Sequence, residues 1–215
     1  MGRIFVVGDI HGCLDKAEEL LSRLPINWDN DTLVFLGDYV DRGPDPAGVV
    51  RLMIELKENH PDRVVCLKGN HEVMFLDYLK DDKLAGAFLN FGGTTTLESY
   101  KISPDEPGPR IHLIPASHMR FLESLPLYYE TSQYFMVHAG VKPGVPLKDQ
   151  KEEDMLWIRD KFIKSDFDWG KRIVFGHTAF EAPLMSSNKI GIDTGAVYGG
   201  RLTCLVLPEI DFIMV

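Results

Sequence analysis

Residues 3–12, RIFVVGDIHG, decide how this chain folds. Ile4, Phe5, Val6 and Val7 form a short apolar run, β-branched and aromatic, with no polar alternation. A run of that kind predicts a strand buried on both faces. Asp9 and His11 follow at once, so two metal-competent side chains stand at its carboxyl end. The same order recurs downstream. Residues 32–37 (TLVFLG) lead into Asp38 and Asp41, and residues 63–67 (RVVCL) lead through Lys68 and Gly69 into Asn70 and His71.

Between these runs the apolar period changes. Leu14, Ala17, Leu20, Leu21 and Leu24 recur at helical spacing, as do Val49, Val50, Met53, Ile54 and Leu56. Pro25 ends the first helix, while Asp45 and Pro46 suit the cap and first turn of the second. Strand, helix, strand, helix, strand implies right-handed crossovers and a largely parallel start to a sheet. From Glu72 to about Leu125 the chain reads as mainly helical, with a Gly-Gly and a Thr run within 91–100 and a Pro-rich loop at 103–109. Apolar runs at 134–137, 172–175, 189–192, 202–207 and 212–215 then predict a second set of strands, antiparallel in part. His138 follows the first of these directly, and His177 follows the second after Gly176. The reading is α/β: a two-sheet β-sandwich flanked by helices, in one domain spanning residues 1–215.

Composition narrows the class. A chain of 215 residues with 45% hydrophobic and 26% charged residues is ordinary globular protein. Charges interrupt every apolar segment before the roughly 20 residues a membrane span needs, so no membrane partner is expected. MGRIFVVGD reaches an Asp by position nine, too early for a signal core, and MGRIFV lacks the Ser or Thr of a myristoylation motif. Cys13, Cys66 and Cys204 stand far apart with no CxxC pair, which favours reduced thiols and a cytoplasmic location. The formal charge of −9 argues against a nucleic-acid partner.

Taken singly, each polar cluster has a plain structural reading. Asp-x-His after a strand can cap a helix, GDYVDRG can be a glycine-rich turn with a surface ion pair, and an isolated histidine is more often structural than a ligand. Five clusters, each directly after a strand-like run, are a different matter. Ligands gather at the carboxyl ends of strands in α/β folds, so the segments can converge on one cleft. Asp9, His11, Asp38, Asn70, His138 and His177 offer carboxylate, imidazole and amide donors, a set suited to Mn²⁺, Fe²⁺ or Zn²⁺ rather than Ca²⁺. Six ligands are too many for one catalytic zinc with an open position. They suit two divalent ions about 3.5–4 Å apart with one carboxylate between them.

GDIHG (8–12), GDYVDRG (37–43), GNHE (69–72), HAG (138–140) and GH (176–177) resemble the five motifs of the PPP-type metallophosphoesterases. That group contains the eukaryotic Ser/Thr phosphatases and the bacteriophage lambda-type phosphatase. WIRD (157–160) and IDTGAVYGGRLT (192–203) also look like its compact bacterial members. The resemblance implies the metallophosphoesterase sandwich and a division of ligands. Asp9, His11 and Asp38 would hold one ion, and Asp38, Asn70, His138 and His177 the other, with Asp38 shared and a metal-bridging hydroxide as nucleophile.

Residues that ligate nothing also fit such chemistry. His71 can protonate the leaving oxygen, and Asp41 can orient His71 and raise its pKa. Arg42 and Arg159 present planar forks to phosphoryl oxygens. Asp193 and Tyr198 are candidates for lining the cleft. There is no CxxxxxR loop and no GxxxxGK[ST] loop, which disfavours a cysteine phosphatase and a nucleotide kinase. The expected activity is dephosphorylation of phosphoserine or phosphothreonine proteins or of small phosphoesters, by a monomer or weak homo-oligomer. The alternative is a symmetrical diadenosine tetraphosphatase. Asp41 and the Glu of GNHE favour the first. A binding module without catalysis is disfavoured because every ligand and the presumed acid are present.

Overall fold

The computed structural model describes residues 2–81, 85–106 and 108–215, so residues 82–84 of the expected helical stretch and Pro107 of the proline-rich loop lie outside it. β1 (Ile4–Val7) leads to α1 (Leu14–Arg23), β2 (Thr32–Phe35), α2 (Pro46–Asn59), β3 (Val64–Cys66) and α3 (Asn70–Lys80). Shorter helices follow, α4 (Ala85–Phe88), α5 (Thr94–Ser99) and α6 (Ala116–Ser124). Then come β4 (Tyr128–Glu130), β5 (Tyr134–Val137), α7 (Glu152–Trp157), α8 (Asp160–Ile163), β6 (Arg172–Phe175), β7 (Leu184–Met185), β8 (Lys189–Gly191), β9 (Thr203–Leu207) and β10 (Asp211–Met214).

Two mixed five-stranded sheets result, in the orders β10-β9-β1-β2-β3 and β4-β5-β6-β8-β7. β1, β2 and β3 run parallel, as do β5, β6 and β8. β9 and β10 differ from expectation: β9 pairs antiparallel with β1 and β10 with β9, so they complete the first sheet instead of joining the second. Their apolar pattern is that of any buried strand, and partner choice is a long-range matter that the pattern does not encode.

Alternation along the strands builds three layers of core. Val6, Val34, Met136, Val174, Ile190 and Leu205 meet between the sheets. Phe5, Val7, Leu33 and Phe35 face the other way, onto Val49, Val50 and Met53 of α2 and Ala17 and Leu20 of α1. Phe135, Val137, Ile173 and Phe175 pack outward with Met155 and Phe162. Each fully buried aliphatic contributes about 1.5–3 kcal/mol, so a charge at Val50 would break the α2 contact. The second helix starts as expected: Asp45 accepts a 2.8 Å hydrogen bond from the Gly48 N–H, with Pro46 in the first turn.

The ends of β1 and β8, one from each sheet, lie close together. A Cβ on Gly8 would meet the Ile192 carbonyl oxygen at 2.6 Å, so only glycine lets the two strand ends come together there. Gly37, at φ 103°, does the same for the 38–42 loop against Gly69. These contacts bring the carboxyl ends of both parallel triplets to one edge of the sandwich.

Candidate functional site

Five of the expected site residues sit in strained backbone. Of the seven described non-glycine residues with positive φ, five are His11, Asp38, Asp41, Arg42 and His177. Strain of this sort persists only where surrounding contacts enforce it. At Asp38 the enforcing group is Glu72. Its buried carboxylate accepts hydrogen bonds from the Asp38 N–H at 2.9 Å, Tyr39 N–H at 2.7 Å, Val40 N–H at 3.3 Å and Gly69 N–H at 2.9 Å. Burial and Asp38 push the Glu72 carboxyl up to about 8, opposed by those N–H donors. The backbone N–H groups of Ile10 and His11 close the arrangement on the Asp38 carbonyl. Glu72 appeared in the sequence only as part of a motif. Its place as the third residue of α3 was the one local hint that it could reach backward.

All six expected ligands come together and all are buried. Two groups emerge, His11–Asp38–His71 and Asp38–His138–His177, with ligand atoms inside each group within 4.8 Å of one another. Asp38 belongs to both. Its Oδ2 lies 3.3 Å from His11 Nε2, and its Oδ1 lies 3.4 Å from His138 Nε2. His71, and not the expected Asp9, completes the first group; Asp9 falls in neither, and its Oδ2 accepts from the His177 N–H at 2.9 Å.

The donor chemistry fits cations. The Nδ1 atoms of His11 and His138 face the carbonyls of Val40 and Leu36 at 2.8 and 3.0 Å, so those nitrogens carry the protons. Both Nε2 atoms therefore turn lone pairs inward, that of His11 toward the Arg42 guanidinium. Around His138 Nε2 stand Asn70 Oδ1 at 2.9 Å, His177 Nδ1 at 3.1 Å and Asp38 Oδ1, a set rich in lone pairs. Asp9 Oδ1 and His177 Nε2 are buried without a hydrogen-bond partner. Burial holds the imidazoles of His11, His138 and His177 well below their ordinary value, His138 at about 3, so they stand neutral as ligands must. Burial, with Asp193 and Asp38 nearby, pushes the Asp9 carboxyl well up, and Asp38 rises for the same first reason. Divalent cations would relieve that crowding.

His71 Nδ1 lies 2.6 Å from Asp41 Oδ2, and the Thr96 hydroxyl donates to Asp41 Oδ1 at 2.6 Å while accepting from the Asp41 N–H. The expected rise in the His71 pKa is not found. Burial lowers it to about 4, opposed by Asp38 and assisted by Arg42. Burial likewise pushes the Asp41 carboxyl well up. Both shifts favour the uncharged pair, protonated Asp41 with neutral His71. That pair carries as many protons as ionised Asp41 with imidazolium, so the dyad as a unit retains a transferable proton.

A cavity of about 120 Å³ opens above these groups, lined by Asp38, Arg42, His71, Arg159, His177, Ala179, Asp193 and Tyr198. Arg42 donates to His11 Nε2 at 2.5 Å. Arg159 is tied by its Nη1 to the His177 carbonyl and the Thr178 hydroxyl, both at 3.0 Å, and so faces the cleft instead of making a surface ion pair. Burial raises the Asp193 carboxyl to about 6, opposed by the Gly195 N–H that it accepts at 2.9 Å.

The calcineurin-like phosphoesterase family model matches residues 2–207. This chain belongs to that family. The metallophosphoesterase is 30% identical over 237 residues to the bis(5'-nucleosyl)-tetraphosphatase PrpE [asymmetrical] of Geobacillus sp. (strain WCH70), covering 99% of this chain and 94% of the relative. A protein of the same description from Bacillus thuringiensis (strain Al Hakam) is 29% identical over 234 residues, covering 98% and 92%. The crystal structure of a proposed diadenosine tetraphosphatase superposes with TM-score 0.77 at 28% identity over all of this chain and 93% of that one. A serine/threonine phosphatase from Saccharomyces cerevisiae shares the fold, with TM-score 0.70 at 17% identity over 100% and 79%.

Membership implies divalent metal ions in this phosphoesterase, and the two His/Asp groups are where they fit. The PrpE relatives bear the asymmetrical designation, whereas the sequence had suggested the symmetrical class as the alternative. Among the described residues no helix is long and apolar enough to cross a membrane.

Proposed function

We propose that this metallophosphoesterase, acting as one domain over residues 1–215, hydrolyses dinucleoside polyphosphates asymmetrically. Asp9, His11, Asp38, Asn70, His138 and His177 would hold two divalent ions, Mn²⁺ foremost with Fe²⁺ or Zn²⁺ as alternatives. Bound there, the ions would acidify water and offset charge on the phosphoryl oxygens. The observation that carries the reading is Asp38, whose two carboxylate oxygens face two separate sets of neutral imidazoles beneath Arg42 and Arg159. Those guanidiniums would grip phosphoryl oxygens, and His71, aligned by Asp41, would hand a proton to the departing oxygen. The PrpE relatives support the substrate class.

The test is metal-stripped protein given Mn²⁺ and diadenosine tetraphosphate, with products separated. ATP and AMP support the proposal; two ADP would indicate the symmetrical class, and intact substrate beside hydrolysed aryl phosphate would sink the nucleotide reading. A second reading, phosphoserine and phosphothreonine proteins, is favoured by the Asp41–His71 dyad, because an alkoxide leaves poorly without a proton. Comparing kcat/KM for a phosphothreonine peptide, a phosphotyrosine peptide and diadenosine tetraphosphate at one Mn²⁺ concentration separates the two.

A further inference from the structure

Tyr198 is the most exposed large hydrophobic residue among those described, at 66% of its surface, and it lines the mouth of the cleft. Arg42 lies against its ring, with the guanidinium carbon 5.6 Å from the ring centroid. An aromatic left open to water beside a phosphoryl-binding arginine offers a flat apolar surface next to the place where a phosphate chain must lie.

The segment that carries it is held firmly. Gly195 and Gly199 take left-handed backbone at φ 70° and 87°, and the Tyr198 and Gly200 N–H groups both donate to the Gly195 carbonyl at 2.9 Å. The Thr194 hydroxyl contacts the Arg201 carbonyl and the Thr203 hydroxyl, each at 2.6 Å. Lys16 reaches across from α1, and its Nζ donates to the carbonyls of Ala196 at 2.9 Å and Gly200 at 2.6 Å. One lysine thus ties both sides of the turn to the helix that starts just after His11.

We propose that Tyr198 is a stacking platform for a nucleobase of the substrate and that Lys16 is the positioning residue that holds the platform at the cleft. The inference rests on the nucleotide reading above. Stacking of a base on an aromatic ring is sequence-tolerant and is worth roughly ten- to a hundred-fold in affinity. It adds to ground-state and transition-state binding alike, so its signature is in KM more than in kcat.

The experiment compares wild type with Tyr198→Ala, Tyr198→Phe, Lys16→Ala and Lys16→Arg, all loaded with Mn²⁺ and checked for unchanged thermal unfolding. Substrates are diadenosine tetraphosphate and inorganic tripolyphosphate, which carries the anion without a base. Tyr198→Ala should raise KM for the dinucleotide about ten-fold or more with kcat changed under three-fold, raise KM for tripolyphosphate distinctly less, and be rescued in Tyr198→Phe. Lys16→Ala should shift the same KM less, with Lys16→Arg restoring much of it. Equal losses on both substrates would overturn the platform and leave Tyr198 as a support for Arg42. Inhibition of p-nitrophenyl phosphate hydrolysis by ATP against tripolyphosphate separates this from failure of the nucleotide reading. If ATP is the better inhibitor only while Tyr198 is aromatic, the platform stands even should the dinucleotide prove no substrate; if ATP has no such advantage in wild type, the platform falls.

Discussion

Strand β2 has a buried aspartate at either end, and the two live in opposite chemistry. Asp31, just before the strand and 4% exposed, is saturated with donors: the N–H groups of Arg3 at 2.8 Å and Asn27 at 2.9 Å, and the Arg3 guanidinium at 2.9 Å. Burial alone would raise its carboxyl, but those N–H groups and the Arg3 charge outweigh it and hold the group low. Asp38, just after the strand and 1% exposed, accepts a 3.1 Å hydrogen bond from the His71 N–H and otherwise turns its oxygens toward the imidazole nitrogens of His11 and His138. Its carboxyl is raised. One end of the strand is complete as it stands. The other would be completed by the cations proposed for it, and a raised carboxyl among neutral imidazoles is what a candidate reactive edge looks like.

The sharpest way to break the comparison is an Asn at each position. At Asp38 it removes the charge shared by both ligand groups. Loss of a residue that merely orients a ligand costs about 10–100-fold, so Asp38→Asn should lower kcat/KM by more than about 100-fold. Metal-stripped Asp38→Asn should nonetheless unfold at or above the temperature of wild type, because an ionised carboxylate with a raised pKa opposes folding at neutral pH. A clear drop in its unfolding temperature would mean that the two ends of β2 are alike after all.

The dyad comes next in size. His71→Asn should cost on the order of 10²–10⁴-fold for alkyl phosphates and distinctly less for p-nitrophenyl phosphate, whose leaving group needs little protonation. Equal losses would remove His71 as proton donor and favour a ligand role beside His11 and Asp38.

Much of the reactive edge was legible because its residues sit directly after apolar runs. Asp9, Asp38 and His138 needed only a strand in front of them to be placed. What stayed hidden depends on contacts distant in sequence. Thr96 meets Asp41 across 55 positions, and Lys16 meets the Tyr198 turn across 180 and 184. The pKa direction of His71 was misread for a related reason. Its neighbour Asp41 was visible in the motif, while its burial, the larger influence, is a property of the finished fold. The strands β4 and β7 escaped because they are two or three residues long and stand at sheet edges, with Tyr128 and Met185 exposed. The closing of β9 onto β1 joins two ends of the chain that carry the same unspecific apolar signal.

The complete end of β2 gives the smaller, stability-only effects. Asp31→Ala removes a charged acceptor from the part-buried N–H donors of Arg3 and Asn27 and should destabilise by about 1–3 kcal/mol, read by urea unfolding, with kcat/KM of the Mn²⁺-loaded enzyme unchanged. The pH dependence sharpens this. A carboxyl whose folded pKa lies below its ordinary 3.8 stabilises the protein fully above that value and loses the contribution as pH falls toward the folded value. The gap in stability between wild type and Asp31→Asn should thus hold steady from about pH 5 upward and narrow below about pH 4. For metal-stripped Asp38→Asn the sign reverses. Protonation relieves wild type as pH falls, so any advantage of the variant at neutral pH should shrink on acidification. Parallel profiles for the two variants would mean that Asp38 finds partners within the protein as Asp31 does, and that the reactive edge needs no cation to be satisfied.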